Sequence, residues 1–526
     1  MTRRNKRFLS LLLALTLAVS LCVLPAAAAD QTCPSSKSDP VVFVHGLMGW
    51  GQRDKIDRIM PYWGMTTGSL TDYLSSQGYE TYAASVGPIS SAWDRACELY
   101  AQLAGTRTDY GVKHAQDFGH ERYGIDYAQP LFDGWGTKRA VNLVGHSFGG
   151  ETIRLFLDIL ADGSAEEQAA AKADGTEVSP FFEGGKADWV YSLTTLAAPH
   201  NGTTFIESNG TIMDVSTNLA ETLAKGFGIT ELKNLLDFQL EQFGIYKSPD
   251  ETVLETLQRV FSTDFLSHND NAFLDLTIDK SLEINKGIAI QPNIYYFSYA
   301  GDQTSADPRT GNHYPTVSAI PSNGMCALML SFSYNMGKYY DKYTAGGIYI
   351  DRSWLPNDGL VNTVSALYPT DSADRCLTKS GQTGYIQQDG YSNVSYQPGV
   401  WNVMPVRHYD HGNFIAGMPV PDLASQSVTA LRQFYLSLMD NLSHVSAASG
   451  LPFTDVAADR WSYTYIKQMY DAGVVSGMTP TTFEPAGDVT RAQFVTMLAG
   501  LAKADVSKYP ATSFRDVPEG AWYAPY

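Results

Sequence analysis

A serine set between small residues is the part of this sequence that most directly suggests chemistry. The motif Gly145-His146-Ser147-Phe148-Gly149-Gly150 follows an apolar run, residues 140–144, and precedes a helix-like stretch, residues 151–157. A strand, a sharp turn on serine and a helix form the context in which Gly-x-Ser-x-Gly marks a nucleophile elbow. The small residues permit the strained turn. The pattern predicts that Ser147 is a catalytic nucleophile; the alternative is an ordinary glycine-rich turn.

A serine nucleophile needs a histidine base and an acid, which follow it in the chain order serine, acid, histidine in this architecture. His411 lies on a predicted loop before the last helix of the domain, and His408 is the fallback. Asp358 in a predicted turn and Asp302 after a predicted strand both qualify as the acid. The acid must orient the imidazole more than it must be basic, so the residues alone leave this choice open.

The developing negative charge on an ester substrate needs backbone N–H donors, an oxyanion hole. His45-Gly46-Leu47-Met48 directly follows a predicted strand, in the position of the early loop that supplies one donor. The residue after the nucleophile supplies the other. The predicted donors are therefore the N–H groups of Leu47 and Phe148.

The elements that must position these residues alternate between strand-like apolar runs and longer helical segments from Pro40 to about Leu442. This alternation predicts the α/β class, with a mostly parallel sheet and helices on both faces. The predicted strands are Val41–Val44, Tyr79–Ala84, Ala140–Val144, Trp189–Leu196 and Asn293–Tyr299.

The first 29 residues predict export. Four basic residues precede the apolar run from Phe8 to Leu24, and alanines 26–29 offer a cleavage site. This arrangement is typical of a secretory signal peptide, with an uncleaved membrane anchor as the alternative. The net charge of −18 argues against a nucleic-acid partner.

Four cysteines follow the signal peptide, without the spacing of a metal site. They are Cys33, Cys97, Cys326 and Cys376. A bridge between Cys33 and Cys376 and buried free thiols are equally compatible with the sequence.

The pattern changes near the C-terminus. Residues 30–442 are predicted to form the α/β domain, and the Ser- and Ala-rich residues 443–452 a linker. Phe453 and Trp461 recur as Phe514 and Trp522, each 61 residues later. Residues 453–503 therefore form one repeat and residues 514–526 begin a second, incomplete one. Such small helical repeats bury their apolar faces by stacking, so more repeats are expected in the natural product.

Several motifs in order resemble the true lipases of the thermophilic Bacillus and staphylococcal group, an α/β-hydrolase family with a helical lid and insertions. The matching segments are Val44–Gly51, Val86–Pro88, Trp93–Glu98, Gly119-His120, Gly145–Gly150, Pro199–Thr204 and Trp354–Thr363. The resemblance implies the triad Ser147, Asp358 and His411, and thus favours Asp358 over Asp302.

The same resemblance implies a structural zinc site. Its ligands would be Asp94, His114, His120 and Asp270, a closed set of four. Read alone, the two histidines are ordinary loop residues. Family members often also bind calcium through an acidic residue two positions after the catalytic histidine. This chain has Asn413 there, which argues against calcium.

The predicted catalytic residues and a predicted lid together indicate the function. Between Thr203 and Gly244, apolar residues at helical spacing correspond to the lid of the resembling lipases, which opens at an oil–water interface. We expect a secreted lipase that hydrolyses triacylglycerol esters through an acyl-enzyme. The alternatives are a short-chain carboxylesterase and, in a different class, a surface-layer structural protein with an inactive hydrolase domain.

The tail resembles S-layer homology repeats, which attach proteins to secondary cell-wall polymers. The match rests on Phe453–Val456, Trp461, Gly473–Gly477, Phe483–Pro485 and Thr490–Gln493. Gln493 departs from the usual glutamate, whereas Arg491 retains a guanidinium for an anionic sugar group. We expect Arg491 to contact the wall polymer and the enzyme to remain at the cell surface.

Overall fold

The computed structural model describes residues 39–137, 139–226, 229–233, 235–318, 324–370, 384–390, 396–416, 427–448, 451, 453–456, 460, 462–471, 474–479, 481–502, 504, 517 and 523–524. The predicted signal peptide, Cys33, Cys376, Trp461, Phe514 and Trp522 lie outside these residues. The chain forms two compact units: one includes residues 39–460 and 476–490, and the other includes residues 461–475 and 491–526.

A sheet of seven parallel strands dominates the first unit. The strands are β1 Val41–Val44, β2 Thr81–Ala84, β5 Val141–His146, β6 Val190–Leu196, β7 Tyr295–Tyr299, β12 Tyr385–Gln387 and β13 Trp401–Val403. Their order in the sheet is β12-β13-β7-β6-β5-β1-β2. Val44 at the end of β1 pairs with Gly145 near the end of β5. The loops after these two strands therefore leave the sheet side by side.

Three two-stranded antiparallel ribbons lie outside this sheet. They pair β3 Arg107–Asp109 with β4 Tyr123–Asp126, β8 Thr304–Ala306 with β9 His313–Pro315, and β10 Lys342–Tyr343 with β11 Tyr349–Ile350.

Helices connect the strands and cover the sheet. The α-helices are α1 Leu70–Ser76, α2 Ala92–Ala104, α3 Val112–Phe118, α4 Phe148–Asp162, α5 Ala165–Asp174, α6 Phe205–Asn209, α7 Ile212–Gly226, α8 Val253–Ser262, α9 Ala272–Asp275, α10 Ile278–Asn285, α11 Leu330–Met336, α12 Thr363–Leu367, α13 Val428–Ala448, α14 Tyr463–Asp471 and α15 Arg491–Leu501. Single 3₁₀ turns are Lys55–Arg58, Pro180–Glu183, Ala187–Trp189, Glu241–Phe243, Phe265–His268, Ala327–Met329, Arg352–Trp354 and His411–Ile415.

The mostly parallel sheet with flanking helices confirms the predicted class, an α/β-hydrolase-like fold. Each of the five predicted strands overlaps an observed one. The sequence missed β12 and β13 because both are only three residues long and include polar residues. Helix α13 extends to Ala448, into the segment predicted as a linker, since its Ala- and Ser-rich end carries no helix breaker.

The central strands β1 and β5 are buried along their whole length, and two apolar clusters occupy the two faces of the sheet. Cys97 and Cys326 are buried free thiols. Within the described part of the chain, no helix combines the length and apolarity needed to span a membrane.

Candidate active site and metal cluster

Ser147 lies on a strained turn between β5 and α4. Its φ is 54° and its ψ is −130°, a conformation that L-residues rarely adopt. The glycines around it are required by space: a Cβ on Gly145 would lie 2.5 Å from the carbonyl carbon of Gly149, and one on Gly149 only 2.2 Å from the carbonyl oxygen of Val44. The turn therefore has the geometry expected of a nucleophile elbow.

The structure brings His411 and Asp358 together. The Nδ1 of His411 lies 2.9 Å from Oδ2 of Asp358, and both side chains are buried. The other oxygen of Asp358 accepts from the N–H groups of Leu360 and Val361, at 3.1 and 2.8 Å. These bonds hold the carboxylate so that it can fix the imidazole tautomer.

The competing candidates lie elsewhere. The carboxylate of Asp302 accepts from the backbone and hydroxyl of Thr304. His408 is exposed. Neither lines the cavity beside Ser147.

The two predicted oxyanion donors are the N–H groups of Leu47 and Phe148. Neither donates a hydrogen bond to another described residue. The Leu47 loop lies against Ser147, since a Cβ on Gly46 would be 2.7 Å from the Cβ of Ser147. The Gly46 carbonyl, in the same peptide unit as the Leu47 N–H, lies 2.9 Å from His45 Nδ1. That contact fixes the orientation of the donor.

The side chain of Arg95 holds this loop through a hydrogen bond. Its fully buried guanidinium donates to the carbonyl oxygens of His45 and Gly87. Burial and this guanidinium lower the pKa of His45 to about 3, so its imidazole is neutral. Arg95 belongs to the Trp-Asp-Arg segment that carries part of the family resemblance, but nothing in the sequence predicted this contact.

A cavity of about 660 Å³, counting its open mouth, lies beside Ser147 and His411. Its walls are mainly apolar, and two of the residues, Val215 and Leu219, come from α7. Both are nearly buried in this position. Helix α7 therefore forms part of the cavity wall in this structure. The cavity's mainly apolar lining with a few polar groups is typical of a small-molecule site.

A second cluster brings together the four residues predicted as zinc ligands. One ligand atom from each of Asp94, His114, His120 and Asp270 lies within 4.8 Å of every other. The Nε2 of His114 is 3.2 Å from both carboxylates, and the Nε2 of His120 is 3.3 Å from Asp270. Tetrahedral ligands at the usual zinc distances are separated by about 3.3 Å.

The hydrogen bonds around the cluster also fit a metal. Apart from their contacts within the cluster, Oδ1 of Asp94 and Nε2 of His120 are buried without hydrogen-bond partners. Gln242 and the Glu121 carbonyl instead contact the outer atoms of these two side chains, as outer-shell groups do around a metal. Although burial opposes its charged form, Asp270 and Asp94 raise the pKa of His114 to about 10. The site thus favours a cation, and it is compatible with a structural metal.

The cluster joins distant parts of the chain. Asp94 lies on α2, His114 on α3, and His120 just after α3. Asp270 precedes α9, which contributes Phe273 to the wall of the cavity. A metal here would tie this wall to the core of the domain.

The polar groups of Asp410 and Asn413, on either side of His411, are hydrogen-bonded. The Asp410 carboxylate accepts from the N–H groups of Asn413 and Cys326, and the Asn413 side chain accepts from the Asp410 N–H. Asn413, where the resembling family has an acid, therefore serves as part of a helix cap.

In the tail, Arg491 is exposed at the first residue of α15. The carboxylate of Asp455 accepts from the N–H groups of Phe483 and Glu484, which closes the loop before this helix.

These features define the class as an α/β-hydrolase. They are the elbow at Ser147, the His411–Asp358 pair and the two N–H groups without acceptors, all on a parallel sheet. Residues 37–454 match the family described as "Lipase-like, C-terminal domain", and the chain belongs to that family. Residues 452–495 match the S-layer homology domain, which indicates association with a cell surface.

Curated relatives include a lipase of Staphylococcus epidermidis, 32% identical over 421 residues, and lipase 2 of Staphylococcus aureus, 34% identical over 421 residues. These alignments cover 78% and 80% of this chain but only 56% of each relative, so the chain spans about half the length of the curated relatives it matches.

Solved structures agree on the fold. EstA from Clostridium botulinum is similar with a TM-score of 0.65 and 31% identity, covering 77% of this chain and 87% of EstA. The lipase of Staphylococcus hyicus gives 0.63 and 30%, covering 80% and 99% of the two chains. Lipase 1 from Pelosinus fermentans gives 0.62 and 36%, covering 77% and 98%.

Proposed function

We propose that this protein is a secreted lipase that hydrolyses carboxylic esters of triacylglycerols and is tethered to the cell wall by its tail. The observation that carries the proposal is the buried His411–Asp358 pair beside the strained Ser147 elbow, at an apolar cavity. The names of its relatives support the same reaction.

In the proposed mechanism, the Ser147 hydroxyl attacks the ester carbonyl while His411 Nε2 takes its proton. The N–H groups of Leu47 and Phe148 stabilise the oxyanion of the tetrahedral intermediate. His411 returns the proton to the leaving alcohol and then activates a water that hydrolyses the acyl-enzyme. Asp358 stays ionised throughout and stabilises the imidazolium.

The direct test is Ser147→Ala, with Ser353→Ala as a control at an exposed serine. We expect Ser147→Ala to keep the parent's melting temperature and to lose hydrolysis of tributyrin, because only binding and the oxyanion donors remain. The control should keep full activity. Half the parent's activity in Ser147→Ala would refute the assignment.

We propose lipase rather than short-chain esterase activity because α7 lines the cavity with apolar side chains. An apolar face that is buried when closed can meet lipid when open. Activity should therefore rise sharply when tributyrin passes its solubility limit. A smooth saturation curve through that limit would favour the esterase.

We propose that the metal of the four-residue cluster is zinc. Two imidazole nitrogens and two carboxylate oxygens suit this ion, and a closed set of four protein ligands suits a structural role. Metal analysis of purified protein should find about one zinc per chain. Protein that is fully folded without any bound metal would contradict this assignment.

We propose that the tail binds an anionic secondary cell-wall polymer, with Arg491 as one contact. Sedimentation with purified cell walls tests this proposal, using the chain extended by further repeats. Arg491→Ala should reduce the bound fraction, whereas residues 30–442 alone should stay in solution with full activity. Equal sedimentation of residues 30–442 would show that attachment does not use the tail.

A further inference from the structure

Three groups outside the catalytic triad form one continuous chain of hydrogen bonds between the two loops that carry the chemistry. The Gly46 N–H donates to the hydroxyl of Tyr62 at 3.1 Å. That hydroxyl lies 2.7 Å from Nδ1 of His146, and Nε2 of His146 lies 3.0 Å from the carbonyl oxygen of His411. The side chains of Tyr62 and His146 are at most 2% exposed.

The direction of this chain follows from its ends. A carbonyl oxygen can only accept, so Nε2 of His146 must carry the proton that bonds His411. Burial and the neighbouring His411 hold the pKa of His146 well below its usual range, so the ring is neutral and its Nδ1 accepts. The Tyr62 hydroxyl, which burial keeps protonated by raising its pKa, then donates to Nδ1. Only in this arrangement do the Gly46 N–H, the Tyr62 hydroxyl and the His146 Nε2–H each face an acceptor.

We propose that Tyr62 and His146 are positioning residues that fix the oxyanion loop and the loop of the catalytic histidine relative to each other. Gly46 directly precedes the donor Leu47, and the bonded carbonyl belongs to His411 itself. The proposal rests on the proposed function of Ser147 and His411. Tyr62 and His146 also line the cavity beside Ser147, but neither makes or breaks a bond in the proposed mechanism. Misplacement of reacting groups by about 1 Å is enough to cost about a hundredfold in rate, so these hydrogen bonds matter for kcat.

Two substitutions of His146 separate this role from packing. In His146→Gln the longer amide reaches as far as Nε2 and restores an N–H toward the His411 carbonyl. In His146→Asn the amide reaches only as far as Nδ1 and leaves that carbonyl unbonded. We expect a kcat loss of about tenfold or more in His146→Asn and in Tyr62→Phe, and little change in KM. His146→Gln should lose less than His146→Asn, because it keeps the bond to the His411 carbonyl, although it loses the bond from Tyr62.

The experiment measures kcat and KM on p-nitrophenyl butyrate together with the nitrogen NMR spectrum of histidine-labelled parent protein. The spectrum should show His146 as the neutral tautomer protonated at Nε2, assigned by its loss in His146→Gln. Equal kcat losses in the Gln and Asn variants, or a His146 protonated at Nδ1, would overturn the inference. A parent protein without esterase activity would instead refute the proposed function, and the tautomer would still decide whether this chain of hydrogen bonds exists.

Discussion

Replacing Asp358 with asparagine tests the roles assigned to the acid and the base. The change keeps the size of the side chain, and its oxygen can still accept from the Leu360 and Val361 N–H groups. The amide group must then point at His411 Nδ1, which forces the imidazole into the tautomer protonated at Nε2. That tautomer cannot take the proton of Ser147.

The size of the effect follows from the 2.9 Å contact between His411 and Asp358. With charge centres about 4 Å apart and an effective dielectric constant of about 20, the attraction between imidazolium and carboxylate is about 4 kcal/mol. Loss of that stabilisation in the transition state corresponds to a decrease in kcat of about a thousandfold. The wrong tautomer adds to this loss.

The assay is the hydrolysis of p-nitrophenyl butyrate, with thermal unfolding to verify that each variant is folded. Asp302→Asn is the matched control, because Asp302 is the competing acid in the sequence but bonds Thr304 in the structure. We expect a normal kcat for Asp302→Asn. The reasoning is wrong if folded Asp358→Asn retains a tenth of the parent's kcat, or if the control loses as much activity as Asp358→Asn.

Three further predictions concern the lid, a buried acid and the metal. Leu219→Ser should weaken the closed position of α7, so the ratio of rates above and below the solubility limit of tributyrin should fall, whereas exposed Asn218→Ser should leave it unchanged. Burial raises the pKa of Glu207 to about 7. The protonated side chain therefore favours the folded state at low pH, and this contribution to stability is lost as pH rises from about 4.5 through 7. Glu207→Gln should raise the melting temperature more at pH 8 than at pH 5. Asp94→Ala should release the metal and lower the melting temperature, because a closed site contributes folding free energy, whereas exposed Asp117→Ala should do neither.

Much of the fold could be predicted because its signals are local. The long apolar runs that became β1, β5 and β6 carry their own hydrophobic pattern, and the elbow motif marks the strand-to-helix turn. The three-residue strands β12 and β13 carry no such pattern, since they are specified by pairing with β7 and with each other. Sequence periodicity cannot detect strands of that length.

The residues of the candidate site also differ in whether the local sequence marks them. Ser147 has a motif, whereas the residues alone left Asp358 and Asp302 as equal candidates for the acid. The hydrogen-bond distance between Asp358 and His411 favours Asp358, and these two residues are 53 positions apart in the sequence. Tyr62 had no sequence signal, because its role depends on a hydrogen bond to a residue 84 positions away.

The central claim is that Ser147 is a nucleophile activated by its neighbours, and covalent trapping tests it most directly. The parent protein is incubated with a phosphonate ester that mimics the tetrahedral intermediate, and the modified peptide is identified by mass spectrometry. We predict one phosphonyl group per chain, on Ser147, and none in folded Ser147→Ala. A phosphonyl group on another residue, or no modification of the folded parent protein, would contradict the claim.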